Sequence, residues 1–452
     1  MSSIKAINPY NGKLLKTYEV DNESTIRQKL VCMTEVEKKW ASMDISQRTS
    51  LLAKVSELLL KRTNVYAQLI TDEMGKPITQ SIAEIEKCVW ACDFYVKNAD
   101  DFLADELITT DADESFISYD PMGCILAIMP WNYPFWQVMR FAAPTLTAGN
   151  TAILKHAENV SGCAKALQQL FEDAGYPNGC FQTVLADHEV IAELIGNESI
   201  KAVTLTGSEK AGKAIAKMAG EHLKKTVLEL GGNNACIICD DADLDSHLDT
   251  MVQARMQNTG QSCIAAKRFI VCPKIYDEFL EKFQRKVEEL KIGDPSEKET
   301  FVGVLARIDL ADKLQEQIDA SLKKGASVLM GNTRDGAFFA PTILTEVTTG
   351  MPVFDDETFG PAAAIIKAKD RDHAIELAIK SKFGLGTMLF TQDIDWAKSI
   401  ISEIPDGAFF VNDMVKSDPR LPFGGTKASG YGRELSREGI LEFVNKKTVY
   451  IK

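Results

Sequence analysis

The chain has 452 residues, 45% hydrophobic and 25% charged, with a formal net charge of −13; the length points to two or three domains rather than one core, and the acidic balance argues against nucleic acid as a partner. No stretch approaches the ~20 apolar residues of a membrane span, and the N-terminus lacks an apolar run of signal-peptide length. The ten cysteines have no framework spacing, so a cytoplasmic protein without a membrane partner is expected.

In chain order, Asn8-Pro9 and Asn11-Gly12 mark a turn between short extended segments. From Glu23 to Ala99 the pattern is mostly helical. Leu51, Leu52, Val55, Leu58, Leu59 and Leu60 form one apolar face, Gly75-Lys76-Pro77 interrupts it, and Ile82, Ile85, Val89 and Trp90 carry another. Residues 104 to 121 read as a hairpin with little apolar surface of its own, and Val444 to Ile451 as a strand-like tail with no obvious partner inside a domain. Such segments usually pack on something else, often another subunit, which predicts a homo-oligomer, a dimer or a tetramer.

Alternating elements fill the rest. Strands are expected at 124–129, 151–155, 181–185 and 202–206, with helices at 135–146, 161–174 and 188–196 between them. After residue 263 the rhythm resumes: strands at 268–271, 327–330, 362–366 and 409–411, helices at 274–291, 309–324 and 370–380. Apolar strands alternating with helices predict an α/β fold of parallel sheets with crossover helices, Rossmann-like in its first half.

The chemistry concentrates between Thr226 and Cys263. Glu229 ends a short apolar run at Gly231-Gly232, and Cys263 follows Gly260-Gln261-Ser262 after a helical stretch. An acid at a strand end and a thiol after a glycine turn are a base and a nucleophile that folding could unite. Cys236 and Cys239 form a C-x-x-C without a second pair, in a strand-like run whose side chains alternate, and the five histidines are dispersed; no metal site is expected.

Gly207-Ser208-Glu209-Lys210-Ala211-Gly212-Lys213 follows a strand and opens a helix, as a phosphate cradle does, but Ala214 stands where a Mg²⁺-binding hydroxyl belongs. With Asp240 ending another apolar run, a P-loop NTPase is an alternative, weaker than a pyrophosphate site without metal. Asn132, in Pro130-Trp131-Asn132-Tyr133-Pro134 at a strand end, could donate to an oxyanion. Lys155 and Glu158 could hold the two hydroxyls of a ribose.

These pieces together resemble the aldehyde dehydrogenase superfamily over nearly the whole chain. The matching motifs run in the family's order: Pro130-Trp-Asn-Tyr-Pro, Lys155 with Glu158, Leu205-Thr-Gly-Ser, Glu229-Leu-Gly-Gly, Gly260-Gln-Ser-Cys, Glu357-Thr-Phe-Gly-Pro, and Pro422-Phe-Gly-Gly through Arg433-Glu434. His156 replaces a common proline, and Ala265 replaces a cysteine of some relatives. The resemblance implies a nicotinamide dinucleotide domain over 1–102 and 121–230, a catalytic domain over 231–430, and a bridging hairpin and strand over 103–120 and 442–452. It implies Cys263 as the nucleophile, Asn132 as an oxyanion donor and Glu229 as the base that activates the deacylating water. Trp131, Lys155, Glu158, Gly207, Ser208, Glu357 and Phe359 would then bind the cofactor. Glu158, facing the adenosine 2′ position, favours NAD, with NADP possible because Lys155 is adjacent. Succinate-semialdehyde dehydrogenases within the superfamily are similar in carrying an arginine at the place of Arg140 and a serine at that of Ser417, which together suit a substrate carboxylate. An uncharged aldehyde, or a cofactor-free acyl transfer at Cys263, are the alternatives.

Overall fold

The structure, a computed structural model, describes residues 3–452. The predicted helical N-terminal region consists of four helices, Glu23–Ala41, Ile45–Lys61, Thr63–Met74 and Ile78–Leu103. Asn22 caps the first, its side chain accepting from the Thr25 amide at 2.9 Å, which satisfies one of the free donors at a helix start. The last buries Ile85, Cys88, Ala91, Cys92, Tyr95 and Ala99, the three-and-four spacing of one helical face. That face packs on Trp136–Thr147, a helix in which every residue is buried.

Two large sheets follow. The first has six strands in the order Gly430–Tyr431, Lys225–Glu229, Ile200–Thr206, Cys124–Met129, Thr151–His156 and Phe181–Val184; all are parallel except Gly430–Tyr431. Its central strands are apolar on both faces because helices cover both sides. The second has seven, in the order Ser327–Met330, Thr342–Thr345, Ala362–Lys367, Ala266–Val271, Asn234–Ile238, Thr387–Phe390 and Phe409–Val411; only Ser327–Met330 runs antiparallel. The predicted α/β class with parallel sheets is what the chain adopts. Thr342–Thr345 and Thr387–Phe390 are strands that the sequence pattern does not single out.

Three details go beyond the reading of the residues alone. The C-terminal strand, which shows no obvious partner by itself, joins the hairpin as the resemblance implies: Val444–Ile451 pairs antiparallel with Glu114–Pro121 along its whole length. The first arm of the hairpin is only Glu106–Leu107, because the segment beyond it is polar and exposed. The segment 231–430 also does not stay in the second sheet, since Gly430–Tyr431 returns to pair with Glu229 and Leu228 in the first.

Glu229 ends a strand of the first sheet and Asn234 begins one of the second. Cys263 lies just before Ala266–Val271 of the second sheet, and Asn132 just after Cys124–Met129 of the first. The carboxyl edge of one parallel sheet thus meets the amino edge of the other, and the cleft between them is where ligands of open α/β sheets bind.

Candidate active site

The loop that delivers Cys263 turns in an unfavourable direction. Asn258 and Thr259 have φ of 54° and 53°, and Gly260 has φ of 72°. Left-handed backbone costs a β-branched residue most, so the surroundings must impose it. Gln80 Oε1 accepts from the Asn258 amide at 2.7 Å, Thr259 Oγ1 accepts from Gly303 at 3.1 Å, and buried Arg255 donates to the Gly260 carbonyl at 2.8 Å. A Cβ on Gly260 would lie 2.2 Å from the Gly360 carbonyl oxygen. The turn is therefore fixed before any substrate arrives.

Lys267, wholly buried, donates to the carbonyls of Ser262 at 2.8 Å and Cys263 at 2.9 Å. Burial pushes the Cys263 thiol up to about 11, against which the positive charges of Lys267 and Arg140 pull downward. A thiol in that state needs a base before it attacks.

Asn132 is held by both ends of its amide. Its Oδ1 accepts from Gln137 Nε2 at 3.1 Å and its Nδ2 donates to the Gln261 carbonyl at 3.0 Å, which leaves one N–H for a substrate oxygen. Glu229 is buried, and its Oε1 accepts no hydrogen bond from the described residues. Burial holds its pKa well above the carboxylate range, and the nearby Glu434 charge adds to this while Arg140 and Arg433 oppose it. Glu229 lies behind the walls of the cleft, beside Glu434 and Gly424, rather than among the lining residues.

Cys263 stands where two chambers meet. The first is lined by Trp131, Gly207, Ser208, Glu357 and Phe359, five of the seven residues that the resemblance assigns to the cofactor, and also by Gly231 and by Leu310, Lys313, Leu314 and Gln317 of the helix Ile308–Leu322, which sequence reasoning missed. Trp131 and Phe359 meet edge to face at 5.7 Å. Glu357 accepts from the Gly232 amide at 3.0 Å and faces Lys267 at 3.6 Å; a Cβ on Gly231 would come within 2.5 Å of its carboxylate. Ser208 caps the helix Glu209–Glu221, its Oγ accepting from Ala211 at 3.2 Å, so its side chain serves the helix start. Lys155 is buried at its strand end, has no ion-pair partner among the described residues, and lies outside the chamber lining, as does exposed Glu158. Burial lowers the Lys155 pKa, and the Glu158 charge offsets part of that. An unpaired ammonium, a helix N-terminus and a half-buried carboxylate are a donor and acceptor set that fits a dinucleotide. It does not fit an NTPase: Gly207 follows a strand of the first sheet and Asp240, which accepts from the Lys274 amide at 3.1 Å, follows a strand of the second.

The second chamber is lined by Lys87, Trp136, Arg140, Ser417 and Phe423 together with Cys263. Arg140 and Ser417 are thus brought together, but Arg140 is not a free fork. It ion-pairs through Nε with buried Glu434, donates weakly to Thr206 at 3.4 Å, and stacks 4.7 Å from the Phe423 ring. Ser417 accepts from Lys87 Nζ at 2.8 Å and Trp136 Nε1 at 3.1 Å. Lys87 escapes the sequence reading, although one signal exists. Glu84 and Lys87 are charges at the border of the helical face that Ile85, Cys88 and Ala91 make apolar, and a charge there calls for a reason. Glu84 has one: it ion-pairs with buried Lys76 and accepts from the amides of Phe135 at 2.9 Å and Trp136 at 3.0 Å, fixing the start of the active-site helix. Among the described residues, no group of three or more His, Cys, Asp or Glu could hold a metal ion.

Comparison with known proteins bears on the whole chain. The model of the aldehyde dehydrogenase family matches residues 1–449. A protein of Synechocystis, described as a probable succinate-semialdehyde dehydrogenase with NADP(+) in its name, is 46% identical over 99% of this chain and 100% of its own. The Escherichia coli K12 succinate semialdehyde dehydrogenase Sad, named for NAD(P)+, is 43% identical over 98% of this chain and 97% of its own. The crystal structure of succinic semialdehyde dehydrogenase from Streptococcus pyogenes in complex with NADP+ superposes with a TM-score of 0.97 at 36% identity, covering 99% of each chain. The resemblance read from seven ordered motifs is therefore a membership: the chain belongs to the aldehyde dehydrogenase family.

Proposed function

We propose that the protein oxidises succinate semialdehyde to succinate with a nicotinamide dinucleotide as acceptor. The observation that carries this reading is the second chamber: beside Cys263 it gathers Lys87, Arg140 and Ser417, donors suited to a carboxylate, above the apolar rings of Trp136 and Phe423. The names of the relatives from Synechocystis and Escherichia coli support the same substrate.

The residues then divide the work as follows. Cys263 gives its proton to water in the cleft, the thiolate Sγ bonds to the aldehyde carbon, and the C=O π pair moves onto the aldehyde oxygen, which becomes an oxyanion. The free N–H of Asn132 and the Cys263 amide meet that charge, a contribution of about 3 kcal/mol per donor at such sites. A bound nicotinamide supplies the hydride acceptor, and the product on Cys263 is a thioester. Glu229 takes a proton from the water that attacks the thioester, the C–S bond breaks, and the thiol is restored. A carboxylate whose pKa burial has raised is the stronger base for that step. Its recessed position means that its side chain must turn toward the cleft to act.

Trp131, Gly207, Ser208, Glu357 and Phe359 would hold the nicotinamide and pyrophosphate side, and Lys155 and Glu158 the adenine-side ribose. Exposed Glu158 repels a 2′-phosphate, which favours NAD, while the unpaired Lys155 leaves NADP usable. The exposed Leu107, Tyr450 and Ile451 of the small sheet support self-association as a dimer or tetramer. All ten cysteines are free, which supports a reducing, cytoplasmic setting. No helix among the described residues is long and apolar enough to cross a membrane.

The test is kcat/KM for succinate semialdehyde and butyraldehyde, each with NAD and NADP. A preference for the semialdehyde and for NAD is expected. Equal use of the two aldehydes would remove the substrate assignment, and an NADP preference would mean that Glu158 faces away from the ribose.

A further inference from the structure

Among the cations of the substrate chamber, Lys87 alone has no ion-pair partner among the described residues. Arg140 is committed to Glu434 and Lys416 to Asp413 at 2.5 Å. The one carboxylate in the chamber lining, Glu84, is committed to Lys76 and to two backbone amides. Lys87 has no carboxylate within ion-pair distance among the described residues; its ammonium donates to Ser417 Oγ at 2.8 Å and stands 4.5 Å from the Trp136 ring. The aromatic face partly compensates the charge, but an ammonium carries three donors and only one is used.

Ser417 completes the argument. Its oxygen already accepts from Lys87 and from Trp136 Nε1. A hydroxyl oxygen has two acceptor positions, so with both filled its own proton is available only as a donor. Two N–H groups of Lys87 and one O–H of Ser417 are therefore left without an acceptor among the described residues, in the chamber that Cys263 also lines. A pair of donors beside an indole wall fits a single carboxylate at the end of a short methylene chain.

We propose that Lys87, with the Ser417 hydroxyl as second donor, is the primary receptor for the distal carboxylate of the aldehyde, and that Arg140 contributes only through its charge and its hold on Glu434. This rests on the reading of the substrate as a carboxylated aldehyde. Lys87 is a specificity residue: it touches the end of the substrate away from the reacting carbon.

The experiment compares kcat and KM for succinate semialdehyde and butyraldehyde in the wild-type enzyme and in Lys87→Met, Lys87→Gln and Lys87→Arg. A lost hydrogen bond to a charged group should raise KM for the semialdehyde at least ~10-fold in the Met and Gln variants. Their kcat should stay within ~3-fold, and butyraldehyde should be unaffected or improved. Lys87→Arg should restore most of the preference. If one neutral variant fails to fold, the other and the arginine variant carry the comparison. A wild-type preference that survives Lys87→Met or Lys87→Gln would overturn this inference and leave the substrate reading intact. Equal damage to both aldehydes in soluble variants would make Lys87 structural. A wild-type enzyme without any preference would overturn the substrate reading itself, whatever the variants do.

Discussion

The two chambers that meet at Cys263 are built by different means. The polar groups of the first come largely from loops and helix starts at strand ends: Asn132 after one strand, Gly207 and Ser208 after another, Gly231 after a third. Each belongs to a short contiguous motif, because a strand end that faces a ligand needs its turn and its ligand group within a few residues. The polar groups of the second are side chains of separate segments: Lys87 on one helix, Arg140 on the next, Ser417 in a distant loop. Only packing puts them together. On the proposed function, the first chamber would serve as generic dinucleotide architecture, and the second would be where this chain sets its own substrate.

The largest expected effect ignores that division. Cys263→Ala should abolish oxidation of both aldehydes while NAD binding, measured by calorimetry, stays close to wild type, since the thiol forms the covalent bond but does not hold the dinucleotide. An alanine variant that retained wild-type turnover would sink the mechanism. Glu229→Gln should leave acylation and slow deacylation, so that a burst of NADH appears at 340 nm followed by a slow steady state. A linear trace with both phases slowed alike would assign Glu229 to the first step instead.

Arg140→Leu separates Arg140 from Lys87. Removing the guanidinium strands Glu434, which is buried and otherwise without a side-chain hydrogen-bond donor among the described residues. Breaking one side of a buried pair costs about 3–5 kcal/mol, unless Glu434 takes up a proton. A clear drop in melting temperature and a loss of kcat/KM shared by both aldehydes are expected, in contrast to the selective loss predicted for Lys87→Met. Selective damage to the semialdehyde with an unchanged Tm would transfer the carboxylate contact back to Arg140. Gly260→Ala should also cost both substrates, because its Cβ would press on the Gly360 carbonyl and the left-handed turn would open.

How much of this was legible in the sequence follows the same line. The strand 124–129 was readable to the residue, because a run buried on both faces is apolar throughout. Cys263, Asn132 and the loop residues of the first chamber were legible through short motifs, whereas its helix wall from Leu310 to Gln317 was not. The neighbourhood of Glu229 was not: nothing in Thr226 to Gly232 indicates Glu434, some two hundred residues on, or Arg140, whose charge acts on Glu229 and which pairs with Glu434. The left-handed pair Asn258 and Thr259 was equally hidden, since a threonine carries no sign of positive φ and only Gly260 marks the turn. Arg140 and Ser417 were found by resemblance and Lys87 was missed. A lysine on an exposed-looking helix reads as solvated until the packing shows that it faces a cavity.

The smallest expected effect tests the division between the chambers without any mutation. Burial, and the charge of Arg140 next to it, lower the Lys87 ammonium to about 8; Cys88, Glu84 and Asp418 oppose the shift. Below that pH Lys87 is charged and can hold a carboxylate, and above it the charge is lost. The raised pKa values of Cys263 and Glu229 make the chemistry itself faster as pH rises, which would mask the loss in either substrate alone. The ratio of kcat/KM for succinate semialdehyde to that for butyraldehyde cancels this shared dependence, because both use the same nucleophile and base. Since kcat/KM reports the free enzyme, the ratio should hold steady on the acid side and fall toward about one-tenth by one unit above the Lys87 midpoint. A carboxylate held by the guanidinium instead of the ammonium predicts no such fall. A ratio that stayed flat across that range would take the carboxylate away from Lys87 and leave the guanidinium as its receptor.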